Sequence, residues 1–188
     1  MPAIIEEAVT KISGVSLRRL TVDQYEQLAR AGILNENERV ELIEGLVIEM
    51  APVGDEHEDI VDRLNRIFGD QHRGWYRIRV NGPIRILDSN EPQPDITLYQ
   101  SQTRRHPVPQ EIRLIIEVAD SSLQYDLEVK KAIYERAQIH EYWVLDLQGK
   151  AVRIYRLSQG RFIEEVRKTG QIGCLAFPDV TVELSELF

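Results

Sequence analysis

The sequence predicts an α/β fold in which helices pack against one β-sheet. Its 188 residues, 43% of them hydrophobic, are enough to bury one substantial core and too few to require two. Stretches with a helical spacing of apolar residues alternate with groups of short strand-like segments. This order is typical of an α/β domain rather than of a helical bundle or a β-sandwich. We therefore expect a single domain over residues 20–188, preceded by an N-terminal arm over residues 1–19.

Composition and charge restrict the class of protein. No apolar run approaches the roughly 18 residues of a membrane helix, and residues 1–20 lack the pattern of a secretory signal, so we expect a cytoplasmic protein. The single cysteine, Cys174, cannot form an internal disulfide bond. Acidic side chains outnumber basic ones by 31 to 23. The resulting net charge of -8 opposes the nonspecific phosphate attraction of a basic nucleic-acid-binding protein.

The first elements are a helix, a hairpin and a second helix. Residues 20–31 have apolar residues at helical spacing, with Thr21 as a candidate N-cap. Residues 40–50 predict two short strands that meet at Glu44-Gly45, because glycine permits the turn. Residues 57–68 present one apolar helical face.

Most of the predicted strands lie in the remainder of the chain, with one more helix over residues 125–138. Glycine, proline and asparagine mark the turns between the strands. The predicted strands are residues 76–80, 83–87, 95–99, 113–119, 141–147 and 151–157, with a final meander through 162–166 and 181–184.

Glu117 lies within the otherwise apolar run from Leu114 to Ala119. Such a run is typical of a central strand covered on both faces, where an unpaired carboxylate is costly to bury. Glu117 therefore requires a cation, a hydrogen-bonding partner or a raised pKa. The alternative is a position at the strand end, where it pairs with a structural arginine.

Asp95 begins a strand in which polar and apolar residues alternate. This alternation places Asp95, Thr97 and Tyr99 on one face of the strand. Pro94 fits the first position of a strand, where no backbone donor is required. A Pro-Asp pair also marks ordinary turns. The second carboxylate on a nearby strand, Glu117, favours a site where both converge on one hard cation.

Lys130 falls on the apolar stripe of the predicted helix 125–138. At the pitch of an α-helix it shares one arc with Leu123, Leu127 and Tyr134, which should face the sheet. Lysine normally avoids such a position. The alternative is an exposed i, i+4 pair with Asp126, worth only about 0.3–0.5 kcal/mol. The stripe favours an inward, functional Lys130.

Several short motifs occur in a specific order between about Thr21 and Phe188. They are Glu41-Leu42-Ile43-Glu44-Gly45, Met50 with Pro52, His57 at a helix start, Pro94-Asp95, Ile116-Glu117-Val118, the spacing of Asp126, Lys130 and Tyr134, and Glu141-Tyr142-Trp143 with Asp146. Their order and spacing resemble the Uma-two family of restriction endonucleases, which looks like a branch of the PD-(D/E)xK nuclease superfamily. The resemblance implies a restriction-endonuclease-like mixed central β-sheet flanked by α-helices.

The resemblance also implies a metal-dependent endonuclease site. Asp95 matches the motif aspartate and Glu117 the second acidic position. The superfamily pattern expects a lysine two residues after Glu117, where this chain has Ala119, and Lys130 is the natural substitute. We predict that Asp95, Glu117 and the Val118 carbonyl bind Mg²⁺ or Mn²⁺, and that Lys130 orients the attacking water.

Three further residues are secondary candidates. Glu44 is either a third carboxylate of the site or a polar turn residue before Gly45. His57 either contacts a phosphate or only starts its helix. Asp126 is expected to hold the ammonium group of Lys130 in place.

The expected substrate is nucleic acid, with DNA preferred, and a symmetric homodimer is predicted for a nuclease that cuts both strands. The alternative is a catalytically inactive nuclease fold that serves as a nucleic-acid-binding or regulatory module. Two basic stretches, one over residues 63–85 and one over residues 104–113, are either solvated surfaces or a rim that contacts phosphates.

Overall fold

A six-stranded mixed β-sheet organises the chain, with a helix, a hairpin and a second helix before it. The computed structural model describes residues 16–35, 38–101 and 106–188. The first 15 residues of the predicted arm 1–19 and the arginines at 104 and 105 therefore lie outside the described residues. The first elements are helix α1 (Val22–Arg30), strands β1 (Val40–Ile43) and β2 (Leu46–Glu49) of the hairpin, and helix α2 (Asp55–Asp70). All four agree with the predicted order.

The central sheet has β5 and β6 in its middle as a parallel pair, while all its other neighbouring strands are antiparallel. Its strands, listed in their spatial order, are β3 (Arg77–Val80), β4 (Ile96–Tyr99), β5 (Ile112–Ala119), β6 (Glu141–Asp146), β7 (Ala151–Ser158) and β8 (Arg161–Arg167). Since β5 is buried over nearly its whole length, its apolar run correctly predicted a central strand.

Helices cover both faces of this sheet. On one face, Leu64 and Phe68 of α2 pack against Ile116 and Trp143 of the central strands. The opposite face is covered by a helical segment that begins as α3 (Leu123–Tyr125), passes through a π-helical turn (Asp126–Lys130) and ends as α4 (Lys131–Arg136). In the described ranges, every helix falls short of the length and hydrophobicity that a membrane span requires. The predicted α/β architecture is confirmed.

The π-helical turn corrects the prediction of one regular α-helix over residues 125–138. The helical segment starts two residues earlier, at Leu123, and its middle turn is wider than an α-helical turn. Both Asp126 and Lys130, which bound the wide turn, are buried. Such turns are rare and frequently occur at functional sites.

Two strand predictions differ from the structure. Residues 83–87, predicted as a strand, contain only an isolated bridge between Ile86 and Asn90, because the chain reverses at Leu87, which has a positive φ of 56°. The end of the chain forms a separate hairpin of β9 (Gln171–Cys174) and β10 (Phe177–Glu183), of which only residues 181–184 were predicted.

Gly45 fixes the turn of the β1–β2 hairpin. Its φ is 78°, and a Cβ atom there would lie 2.9 Å from the Leu20 carbonyl oxygen. We predict that Gly45→Ala destabilises the fold by about 1–3 kcal/mol, since it adds both strain and a clash. Chemical denaturation followed by circular dichroism measures the change.

The matched control is Gly69→Ala, near the exposed end of α2, where the new Cβ would have no atom within 4 Å other than its chain neighbours and the backbone of its own helix. This change should stabilise the fold by about 0.5–1 kcal/mol, because alanine has the higher helix propensity. Equal effects of the two substitutions would contradict the role given to Gly45.

Candidate active site

A buried ion pair between Lys130 and Glu117 forms the centre of the candidate site. The Lys130 Nζ donates to Glu117 Oε1 at 3.1 Å, and the Tyr134 hydroxyl donates to the same oxygen at 2.9 Å. All three side chains are almost inaccessible to solvent. Tyr134 follows Lys130 by four residues, so one side of the helical segment holds the carboxylate of β5 with two donors.

Two more carboxylates surround the same ammonium group. Glu41 Oε2 lies 3.4 Å and Asp126 Oδ1 3.9 Å from Lys130 Nζ. Glu41 comes from β1 and is completely buried, and its other oxygen accepts from the Tyr125 hydroxyl at 2.7 Å. We call Lys130, Glu41, Glu117 and Asp126 the Lys130 cluster.

Glu41 is the site residue that the sequence reasoning missed. A signal was present, because Glu41 stands between Val40 and Leu42 in a strand, as Glu117 stands in its own apolar run. The residue chosen instead, Glu44, is not brought to the site. It occupies the turn of the hairpin with a positive φ, and its half-exposed carboxylate pairs with Arg136.

Asp95 lies on the same face of the sheet as Glu117. Its neighbours Ile96 and Leu98 point toward α2, which leaves Asp95 on the opposite side, as the alternation predicted. Asp95 Oδ2 accepts from the Val118 backbone N–H at 2.7 Å, and Asp95 Oδ1 lies 3.2 Å from His57 Nε2. The aspartate therefore connects the strand of Glu117 with the first turn of α2.

A cavity of about 510 Å³ gives access to these groups. His57, Asp95, Glu117 and Val118 line it, together with two members of the Lys130 cluster, Asp126 and Lys130. The remaining charged residues of its wall are mainly acidic: Glu38, Arg39, Glu58, Asp62 and Asp120. The cavity is thus an acidic pocket with one buried ammonium group in its wall.

The buried charges around the cavity do not balance. The carboxyl groups of Glu41, Asp95, Glu117 and Asp126 are all buried, and the first, third and fourth of them lie within 4 Å of the Lys130 ammonium group. Burial lowers the pKa of Lys130, but Glu117 and the other carboxylates outweigh it and raise that pKa above the ordinary value, so Lys130 stays charged. Burial raises the pKa of Glu117 well above its ordinary value, partly opposed by Lys130 and reinforced by Asp126.

This surplus of negative charge fits a divalent cation. Magnesium-type ions prefer carboxylate and carbonyl oxygens, and the cavity lining includes Asp95, Glu117 and Val118, which carry such oxygens. A cation would offset the carboxylates that Lys130 cannot neutralise. Ala119, where the superfamily lysine was expected, is buried and uncharged, and Lys130 lies beside Glu117 instead.

A second candidate metal site lies away from the acidic cavity. Within the described ranges, it is the one group of three His, Cys, Asp or Glu side chains whose possible ligand atoms all lie within 4.8 Å of one another. It consists of Glu26, Glu91 and His106, which line a second cavity. Glu26 Oε2 forms an ion pair with Arg30 Nη2 at 2.6 Å, and this guanidinium group would compete with a metal ion for the carboxylate. The acidic cavity, with a single cation among its buried carboxylates, is the stronger candidate.

Three arginines of the two basic stretches make contacts within the protein. Arg63 pairs with Asp59, Arg85 pairs with Asp23, and Arg113 bonds the Gln100 side chain. Arg63 and Arg85 are thus partly exposed side chains in ion pairs at the surface, as the solvated-surface interpretation of the first basic stretch expects of them.

Comparison with known proteins points to nucleases. The Uma2 (Uma-two) family model, described as "Putative restriction endonuclease", matches residues 22–185. A crystal structure described as "a putative nuclease belonging to DUF820 from Anabaena variabilis" superposes with a TM-score of 0.69 at 18% sequence identity. The match covers 90% of this chain and 97% of that one, and at this identity it shows a shared fold. No curated protein matches the chain.

Asp126 provides a test of the surplus charge. Burial raises its pKa from 3.8 to about 6, against the opposing effects of Lys130 and the hydrogen bond from Ser122. The folded state therefore holds this proton more tightly than the unfolded state, and the stabilisation is lost as pH rises from about 4 through 6. Asp126→Asn removes the titration and can still accept from Ser122.

We therefore compare the free energy of unfolding of Asp126→Asn with that of the wild type at each pH. We predict that the difference, variant minus wild type, is about 1–3 kcal/mol larger above pH 7 than at pH 4. Urea denaturation at pH 4, 5, 6, 7 and 8 measures this difference. A stability difference that does not vary with pH would contradict the raised pKa.

Proposed function

We infer that this chain, which belongs to the Uma2 family described as "Putative restriction endonuclease", is a metal-dependent nuclease that hydrolyses phosphodiester bonds, with DNA as the preferred substrate. The observation that carries this proposal is the buried contact of Lys130 with Glu117 in the wall of the acidic cavity. An ion pair with a purely structural role needs only one carboxylate beside the ammonium group. Here three carboxylates surround the ammonium group, and Asp95 lies close by, so negative charge remains that a cation can neutralise.

Asp95, Glu117 and the Val118 carbonyl would hold Mg²⁺ or Mn²⁺. When bound, such an ion polarises the scissile phosphate and lowers the pKa of a water molecule for in-line attack. The backbone N–H of Val118 already fixes one oxygen of Asp95, and Tyr134 and Lys130 fix one oxygen of Glu117. These hydrogen bonds orient both carboxylates before any ion or substrate arrives.

Lys130 would act as a fixed positive charge and not as a base. Since the surrounding carboxylates raise its pKa, the group has no lone pair with which to remove a proton from water. Its N–H groups can orient the attacking water and stabilise the negative charge that develops on the phosphate. Glu41 and Asp126 would be positioning residues, because they hold the ammonium group from two further directions.

A second function is supported by the charge of the cavity wall. A polyanionic substrate is repelled by Glu38, Glu58, Asp62 and Asp120 unless cations are present. This favours the alternative in which the nuclease fold is retained without cleavage, as a nucleic-acid-binding or regulatory module.

If the chain is a nuclease, we also propose that it forms a symmetric homodimer, so that two sites cut the two DNA strands. Sedimentation in the presence of a DNA duplex measures whether two chains pair.

The test compares Glu117→Gln with the matched control Glu44→Gln. Both replace one carboxylate by an amide of equal size, but Glu44 lies outside the cavity lining and pairs with Arg136. We predict that Glu117→Gln lowers Mg²⁺- or Mn²⁺-dependent cleavage at least about 100-fold. Glu44→Gln should retain cleavage within about twofold of the wild type, as expected for a change at a surface ion pair.

Supercoiled plasmid, single-stranded DNA and RNA are the substrates, each incubated with and without the metal ion. Equal loss in the two variants, or undiminished cleavage by Glu117→Gln, would contradict the proposed site. If the folded wild type does not cut these substrates, whether or not it binds them, the nucleic-acid-binding or regulatory module is the better description. Circular dichroism of both variants separates lost chemistry from lost folding.

A further inference from the structure

His57 carries a buried imidazole at the edge of the proposed metal site. It lies in the first turn of α2, is 8% exposed, and lines the acidic cavity together with Asp95 and Glu117. We propose that His57 Nε2 is a further metal ligand, which gives the site a preference for a transition-metal ion such as Mn²⁺ over Mg²⁺. This inference rests on the proposed function, because it concerns the same site.

The spacing of the two candidate ligand atoms supports this assignment. His57 Nε2 and Asp95 Oδ1 are 3.2 Å apart. Two neighbouring ligands of an octahedral ion, each about 2.1–2.2 Å from the metal, are separated by about 3.0 Å. A cation could therefore bind both atoms with only a small movement of either side chain.

The two nitrogens of the ring have different surroundings. His57 Nδ1 is buried and, in the described part of the chain, has no hydrogen-bond partner. Asp95 is therefore the neighbour that acts on the ring, and it favours the hydrogen on Nε2 as long as no cation lies between the two side chains. With the proton on Nδ1, the lone pair of Nε2 faces Asp95 Oδ1, an arrangement that a cation between the two atoms stabilises.

The competing role is a hydrogen bond in which Nε2–H donates to Asp95. That bond would orient the aspartate without a metal ion. The two roles also differ in selectivity. Imidazole nitrogen suits transition metals, whereas Mg²⁺ favours oxygen ligands and releases its water molecules reluctantly.

Electron spin echo envelope modulation of bound Mn²⁺ distinguishes the two roles, because a directly bound imidazole adds a ¹⁴N coupling to the spectrum. The sample is the full chain without a polyhistidine tag, loaded with one equivalent of Mn²⁺. We expect the ¹⁴N coupling in the wild type and its loss in His57→Gln, whose amide can still donate to Asp95. Titration calorimetry should show Mn²⁺ affinity at least tenfold lower in His57→Gln, with a smaller loss for Mg²⁺.

The matched control is His106→Gln, which removes the imidazole of the group formed with Glu26 and Glu91. This variant should keep both the coupling and the affinity. Mn²⁺ bound without a ¹⁴N coupling would overturn the role of His57 and leave the proposed nuclease site intact. A coupling lost in His106→Gln instead would assign the ion to the second cavity and overturn both the role of His57 and the proposed metal site. If no Mn²⁺ binds to the wild type at all, the proposed function fails together with this inference.

Discussion

The ammonium group of Lys130 can be buried only together with carboxylates, and this requirement links elements that lie far apart in the sequence. Glu117 contributes from the central strand β5, Glu41 from the N-terminal hairpin and Asp126 from the same helical segment. Breaking such a cluster leaves an uncompensated buried charge, which is strongly destabilising. The hairpin, the sheet and the helical segment are therefore held in one arrangement around this group.

The same cluster explains why the site suits metal chemistry. Carboxylates in excess of the single ammonium group are unfavourable in a low-dielectric interior, and they hold protons more tightly than they would in water. A divalent cation at the cavity would relieve this unfavourable interaction with Asp95 and Glu117. Because binding of the ion would remove a repulsion that destabilises the metal-free protein, this free energy would contribute to the affinity for the ion, as at other preorganised metal sites.

Local periodicity was sufficient to predict the sheet, its flanking helices and the residues that conflict with a core. Glu117 stood out in an apolar strand, and Lys130 on an apolar helical stripe, because each pattern defines which face is buried. Glu41 was missed because its burial depends on how the hairpin packs against Tyr125 and Lys130. The contact of His57 with Asp95 is likewise tertiary, and no local spacing indicates it.

The charge state of Lys130 is the property on which the cluster, the orientation of Glu117 and the proposed chemistry all depend. Proton-detected ¹⁵N NMR of the lysine side chains, with Lys130→Met to assign the signal, measures it directly. A Lys130 ammonium that remains protonated in the folded protein above pH 10.5, the ordinary lysine value, is the expected result. A folded protein in which Lys130 loses its proton below pH 9 would contradict the buried-cation arrangement from which the site is derived.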